Sequence, residues 1–280
     1  MRNYSSAGEA LQAARARLAA TSRNPGRDAE VLLTHVSGWD KAALLTHPER
    51  LLSVEQSTQF EGLVRRRVAC EPMQYITGAQ EFFGLLFEVS PDVLIPRPET
   101  EHVVEAALER FGREATVRIV DVGTGSGAIA VALAHALPQS DVTAVDLSPA
   151  ALKVARRNAE RHGVLDRLTL LQSDLLAAID AVDFDLVVSN PPYIADGDAL
   201  EPQVFQYEPR AALYAGPTGL EIYERLIPQA CQALKRGGWL ILEIGFGQQA
   251  AIQRLLSGWH MVSFENDLQG IPRVVCAQKS

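Results

Sequence analysis

The stretch Val117-Arg118-Ile119-Val120-Asp121-Val122-Gly123-Thr124-Gly125-Ser126-Gly127-Ala128 reads as a buried strand running into alternating glycines and then a helix. Glycine lets the chain leave the strand in a tight turn, and without a Cβ the backbone can approach a ligand closely. Asp146 closes the next strand-like run, where a carboxylate can accept hydrogen bonds from both ribose hydroxyls of a nucleoside. Alone, this pattern is ambiguous: Gly123, Gly125 and Ala128 also satisfy a dinucleotide fingerprint, with Asp146 near the required distance. A pyrophosphate calls for helix N-terminal amides and no adjacent negative charge, whereas a sulfonium nucleoside tolerates an acid such as Asp121. Asp174 follows the third strand-like run and is placed to meet an adenine edge, with Leu175 beside the ring.

Outward from the loop, strand-like and helical runs alternate. Strands are predicted at 118–122, 142–146, 168–172, 186–189 and 239–243, with a final pair near 261–264 and 273–277. Helices fit between them at 128–137, 149–162, 220–234 and 248–256. This implies an α/β fold with a seven-stranded, mostly parallel sheet covered on both faces, ending in an antiparallel edge hairpin. Upstream, apolar spacings of three and four residues up to about Met73 predict a small bundle of short helices. Its Arg65-Arg66-Arg67 run is a solvated helix face or a contact for an acidic partner. Between the two regions, 82–89 and 93–95 around Ser90-Pro91-Asp92 read as a connecting hairpin. The expected division is a helical bundle at 1–75, a hairpin linker at 76–97 and a catalytic domain at 98–280.

The 280 residues include 47% hydrophobic and 21% charged residues, enough for a substantial core. The formal net charge is -8; residues 1–90 balance ten basic against ten acidic side chains, so the excess lies in the remainder. That argues against a chain-wide nucleic-acid footprint. No apolar run is long enough to span a bilayer. Cys70, Cys231 and Cys276 lie far apart without metal-ligand spacing, so free thiols in a reducing compartment are expected, and no metal. Arg2, Arg15, Arg17, Arg23 and Arg27 faintly resemble a transit peptide, but Ala10, Leu11, Ala14 and Leu18 fit one stripe of an ordinary amphipathic helix. A cytoplasmic location is expected. None of the six histidines falls in a strand-end motif.

The fourth strand runs Phe184-Asp185-Leu186-Val187-Val188-Ser189 into Asn190-Pro191-Pro192-Tyr193. Methylating a planar –NH2 group requires both N–H bonds to be held while nitrogen faces an electrophilic methyl. The Asn190 side-chain oxygen and the Pro191 carbonyl can supply two convergent acceptors on a corner stiffened by consecutive prolines. The Tyr193 ring can pack against the planar group. In sheets of this kind, strand ends converge on the ligand crevice.

The glycine loop, Asp146 and Asn-Pro-Pro-Tyr together resemble class I S-adenosylmethionine-dependent methyltransferases acting on –NH2 groups. Leu94-Ile95-Pro96-Arg97-Pro98-Glu99-Thr100-Glu101 and Tyr207-Glu208-Pro209 narrow the resemblance to the release factor glutamine methyltransferases, the HemK/PrmC family, along the whole chain. The resemblance implies S-adenosyl-L-methionine as cofactor and, as substrate, the Gly-Gly-Gln glutamine of class-1 peptide-chain release factors. By position, Gly123, Thr124, Gly125, Ser126 and Gly127 would line the methionine part, and Asp146 would bind the ribose. Asp174 and Leu175 would flank the adenine, where some members carry an aromatic in place of Leu175. Asn190, Pro191, Pro192 and Tyr193 would grip the glutamine, with Asn190 also near the cofactor. Locally, Pro96 to Glu101 reads as a strand end with Thr100 or Glu99 capping a helix from Glu101, covering the cofactor side of the cleft. A monomer without direct nucleic-acid or membrane contact is expected. Three alternatives stay open: a ribosomal-protein glutamine or a nucleobase amine as acceptor, a nicotinamide oxidoreductase, and an idle binding module.

Overall fold

The computed structural model describes residues 4–180 and 183–280, so Arg2 lies outside the described residues. Two compact units emerge: one holds the chain up to Gly78 together with Leu200–Tyr207, the other Ala79–Ala199 with Glu208–Ser280.

The first unit begins with α1 (Ala7–Leu18), α2 (Pro25–Ser37), α3 (Lys41–Thr46), α4 (Val54–Val68) and α5 (Met73–Thr77). The first four start at polar caps, Ser6, Asn24, Asp40 and Ser53, whose side chains accept from the first-turn amides. Ser53 and Gln56 complete a reciprocal capping box. The predicted stripe of α1 is real: Ala10, Ala14 and Leu18 are buried against Leu32, Leu33, Phe60 and Val64. The arginine run is for the most part the solvated helix face expected, with Arg65 and Arg66 exposed and only Arg67 half-buried, and its charges find partners within their own unit. Arg66 makes a bidentate pair with Glu71, and Arg67 reaches Asp28 and the Glu71 carbonyl.

The second unit opens with a hairpin, β1 (Ala79–Phe82) and β2 (Leu85–Glu88), followed by α6 (Glu101–Arg110), β3 (Arg118–Val122), α7 (Ala128–Ala136), β4 (Asp141–Asp146), α8 (Pro149–Arg161), β5 (Leu168–Gln172) and β6 (Phe184–Ser189). After these come β7 (Ile194–Ala195), α9 (Pro202–Tyr207, which clusters with the first unit), β8 (Tyr214–Gly216), α10 (Glu221–Ala233), β9 (Leu234–Glu243), α11 (Gln249–Leu255), β10 (His260–Asn266) and β11 (Pro272–Gln278). The seven-stranded sheet runs β10-β11-β9-β6-β3-β4-β5. Strands β9 to β5 in that order are parallel, while β11 is antiparallel to both its neighbours. Alternation fixes the two faces: Ile119, Leu186 and Val188 pack with α6 and α7, whereas Val120, Val122 and Val187 pack with α10 and α11.

The expected hairpin needs correction. Its turn is Phe83-Gly84, both at positive φ (51° and 73°), as the I′ type of two-residue hairpin turn requires; Ser90-Pro91-Asp92 forms a separate turn. Residues 93–95 join no strand, and the Ile95 amide donates to a side chain, Glu208 Oε2, at 3.1 Å. A phenylalanine in left-handed conformation gives no turn signal in sequence. Strand β9 also starts five residues before the predicted 239, because Gly237, at φ 75°, permits a bulge between the pairs Phe184–Leu234 and Leu186–Trp239. The parallel pair β7–β8 was not foreseen; it ties the segment after Asn-Pro-Pro-Tyr to residues 214–216.

Candidate active site

The C-terminal ends of β3, β4, β5 and β6 open on a cleft of ≈ 280 Å³, at the point where strand order reverses between β3 and β6. Its wall includes Gly123, Gly125, Asp146, Leu147, Asp174, Leu175, Asn190, Pro191 and Pro192, with Val93, Leu94, Pro209 and Ala211 also lining it. Among the described residues of this wall, Asp92, Asp146 and Asp174 are acidic and none is Lys or Arg. Such a surface disfavours a pyrophosphate and suits a cation.

Gly123, Gly125 and Gly127 all take positive φ, 72°, 55° and 81°, a conformation that L side chains resist. A Cβ on Gly123 or Gly125 would meet no atom within 4 Å, so these two face open space. Gly127 serves packing instead: its Cβ would sit 3.2 Å from the Ala155 Cβ of α8. Thr124 and Ser126 are buried beneath the loop and absent from the cleft wall. The Thr124 hydroxyl donates to Asp121 Oδ2 at 2.6 Å, and the Ala130 amide donates to the same oxygen at 3.2 Å. Asp121 therefore shapes the loop from below; it is fully buried, and burial pushes its carboxyl up to about 7. The Ser126 carbonyl accepts from Asn158 Nδ2 at 2.8 Å, while Asn158 Oδ1 accepts from the Glu88 amide of β2 at 2.7 Å.

Asp146 accepts the Gly125 amide on Oδ2 and the Ser148 amide on Oδ1, both at 2.8 Å. The carboxylate is thereby held rigid, with the amide of Leu147 also bearing on it and acceptor capacity still left for hydroxyl donors. Burial raises its pKa, while the backbone amides oppose the shift. Asp174 lines the cleft and pairs with Arg225 at 2.6 Å. Leu175 stands at φ 52°, a costly conformation for a branched side chain that persists only when its surroundings enforce it. The enforcement is visible on either side: the Leu176 amide donates to Gln229 Oε1, and the Ala178 amide to Ser173 Oγ.

At the end of β6, Asn190, Pro191 and Pro192 reach the cleft but Tyr193 does not. Tyr193 lies behind the corner, its hydroxyl 3.3 Å from Glu243 Oε1 and its carbonyl held by Gln248 Nε2 at 3.0 Å. Asn190 Nδ2 donates to Thr100 Oγ1 at 2.9 Å, and that hydroxyl donates to Glu243 Oε2 at 2.5 Å. Asn190 Oδ1 has no hydrogen-bond partner among the described residues. The expected cap on α6 is absent, since neither Glu99 nor Thr100 gives it a side-chain hydrogen bond; the Thr100 hydroxyl is engaged by Asn190 and Glu243. Nor do residues 96–101 line the cleft; its wall takes 92–94 instead. Glu208 clasps the segment ahead of them, accepting from the Ile95 amide and from Arg97 at 2.5 Å. Thr100 and Glu208 lie inside the segments quoted from the sequence, without the partners seen here, whereas Asn158 sits within a helix and in no motif. Glu243, an acid ending an apolar strand, was the stronger signal that sequence reasoning passed over.

Residues 9–78 match the PrmC N-terminal domain family, and residues 102–207 match the methyltransferase small domain. The chain is 45% identical to the release factor glutamine methyltransferase of Koribacter versatilis, over 93% of this chain and 94% of that one. It belongs to the release factor glutamine methyltransferases. The family's enzyme from Escherichia coli K12 is 42% identical over 90% of this chain and 92% of its own. Among solved structures, the ribosomal protein L11 methylase of Lactobacillus delbrueckii subsp. bulgaricus matches with a TM-score of 0.51 at 25% identity, over 69% of this chain and 84% of that one. The methylase likeness stops at about two-thirds of the chain, while the glutamine methyltransferase likeness runs through both units.

Proposed function

We propose that this chain transfers the methyl group of S-adenosyl-L-methionine to the side-chain amide nitrogen (N5) of the glutamine in the Gly-Gly-Gln tripeptide of class-1 peptide-chain release factors. The observation that carries it is Asn190 on the cleft wall, its amide nitrogen engaged by Thr100 and its oxygen without a hydrogen-bond partner among the described residues. The cleft fits the cofactor: Asp146 is fixed with spare acceptor capacity, Gly123 and Gly125 leave open space, and the walls carry acid without base. In this reading Asp146 holds the ribose, Asp174 and Leu175 flank the adenine, and Gly123 and Gly125 cradle the methionine part, with Thr124, Ser126 and Gly127 holding the loop in shape from behind. When bound, S-adenosylmethionine supplies the electrophilic sulfonium methyl.

The chain's own part is to prepare a poor nucleophile. An amide nitrogen's lone pair is delocalised, so both its N–H bonds must point at acceptors as positive charge builds. Asn190 Oδ1 and the Pro191 carbonyl supply those acceptors, and the paired prolines hold them still. Fixed geometry removes the entropy of encounter, an effect that reaches ~7–11 kcal/mol in well-oriented cases. The proton leaves to water after transfer. Tyr193 supports the corner from behind through Glu243. The proposed division keeps a recognition bundle at 1–75, a hairpin linker at 76–97 and a catalytic domain at 98–280. Phe82 and Phe87 of the hairpin pack into the catalytic core. The reading makes the enzyme a cytoplasmic monomer; among the described residues no helix is long and apolar enough to cross a membrane.

The test is mass spectrometry of release factor, ribosomal subunits and DNA after parallel incubation with enzyme and labelled cofactor. One added methyl on the tripeptide glutamine is expected, absent with Asn190→Ala. Label on ribosomal protein or nucleic acid alone would replace the substrate assignment. Full methylation by Asn190→Ala would remove the corner from the mechanism.

A further inference from the structure

We propose that Glu243 is the positioning residue of the methyl-accepting corner: its ionised carboxylate dictates, through the Thr100 hydroxyl, which way the Asn190 amide faces. The inference rests on the reading of Asn190 as an acceptor for the substrate amide. Its basis is the direction of the hydrogen bonds. A threonine hydroxyl has one hydrogen and two lone pairs. At 2.5 Å from Glu243 Oε2, that hydrogen goes to the carboxylate, in the distance range of charge-assisted O–H···O bonds. Thr100 can then only accept from Asn190, so Nδ2 must face it, as observed at 2.9 Å, and Oδ1 is left for the substrate.

Protonating Glu243 reverses the chain. Its own hydroxyl can donate to Thr100, whose hydrogen is then free to point at Asn190. The amide relieves that conflict by turning Oδ1 inward, and an –NH2 group would confront the two N–H donors of a substrate carboxamide. Every group around the carboxylate bears on this balance. Tyr193 donates to Oε1; Tyr223, from α10, donates to the Glu243 backbone carbonyl instead. Burial pushes the carboxyl up to about 7, helped by the negative charge of Glu99 and opposed by Thr100, Tyr193 and Arg273 of β11. Glu243 is 2% exposed and does not line the cleft, so its influence runs through Thr100.

The experiment compares kcat, KM and S-adenosylhomocysteine affinity across variants of the full chain, with release factor as substrate. Thr100→Val, which breaks the relay, should lower kcat about 10- to 100-fold, the scale of a misplaced reacting group, with S-adenosylhomocysteine affinity unchanged. Thr100→Ser, which keeps the hydroxyl, should restore most of the rate. Wild-type kcat should fall as pH drops through the Glu243 transition, and Glu243→Gln should be slow and lack that acid limb. The relay is overturned if Thr100→Val turns over like wild type, if Thr100→Ser is as slow as Thr100→Val, or if Glu243→Gln keeps the acid limb. Should Asn190→Ala be slow while Thr100→Val is not, only the relay fails; should Asn190→Ala be fully active, the substrate reading falls with it.

Discussion

Beneath the glycine loop, Asp121 has one oxygen bonded to Thr124 and Ala130, and its other oxygen, Oδ1, is buried without a partner among the described residues. Burial, reinforced by the charge of Asp146, lifts its carboxyl from the ordinary 3.8 to about 7. The sign of the stability effect follows by linkage. Between about pH 4 and pH 7 the folded chain retains a proton that the unfolded chain has released, so stability falls as pH rises through that window and levels off above it. The size is on the order of a few kcal/mol. Asp121→Asn keeps an acceptor for Thr124 and Ala130 and removes the ionisation, so its melting temperature should decline less from pH 4 to pH 8 and exceed that of wild type at pH 8. Glu243 contributes a slope of the same sign in both proteins. Melting curves that run parallel across the window would show that Asp121 does not titrate there.

Among the elements, α8 connects the hairpin to the ligand loop through one side chain. Asn158 is fully buried, accepts from the Glu88 amide, and donates to both the Glu88 and Ser126 carbonyls. Asn158→Ala would leave these buried backbone groups unsatisfied, at about 1–3 kcal/mol for such a group, and slacken the loop. We expect a lower denaturant midpoint together with weaker S-adenosylhomocysteine binding; a loss of stability with wild-type affinity would confine Asn158 to the fold. This tie also shows where sequence reading stops. The strands, the loop glycines, Asp146 and Asn190 were legible because period-2 burial, left-handed turns and strand-end placement each leave a local pattern. Asn158, Thr100 and Glu243 act across 70, 90 and 143 residues of chain separation respectively, and no local pattern encodes such a partner. The Phe83 turn was hidden for a different reason: an aromatic side chain fits a strand pattern, so the local residues read as a continuous strand.

For the molecule as a whole, the two units divide the labour unequally. Each residue walling the cleft, from Asp92 to Ile222, belongs to the second unit. The first unit has its own apolar core and reclaims Leu200–Tyr207, where Glu201 pairs with Arg23 and the Tyr207 hydroxyl donates to the Ala69 carbonyl. Cofactor binding should therefore be a property of the second unit, and the proposed recognition role of the first unit becomes testable by removing it. A chain beginning at residue 76 is expected to bind S-adenosylhomocysteine within about threefold of the full chain, since no walling residue is lost. It should methylate intact release factor at least about 100-fold less efficiently, because remote binding energy is what brings a large substrate's reacting group into register. Calorimetry and kcat/KM on the same preparation separate the outcomes. Undiminished kcat/KM would deny the bundle any part in recognition, and loss of cofactor affinity in a folded chain would mean that the first unit helps to shape the cleft.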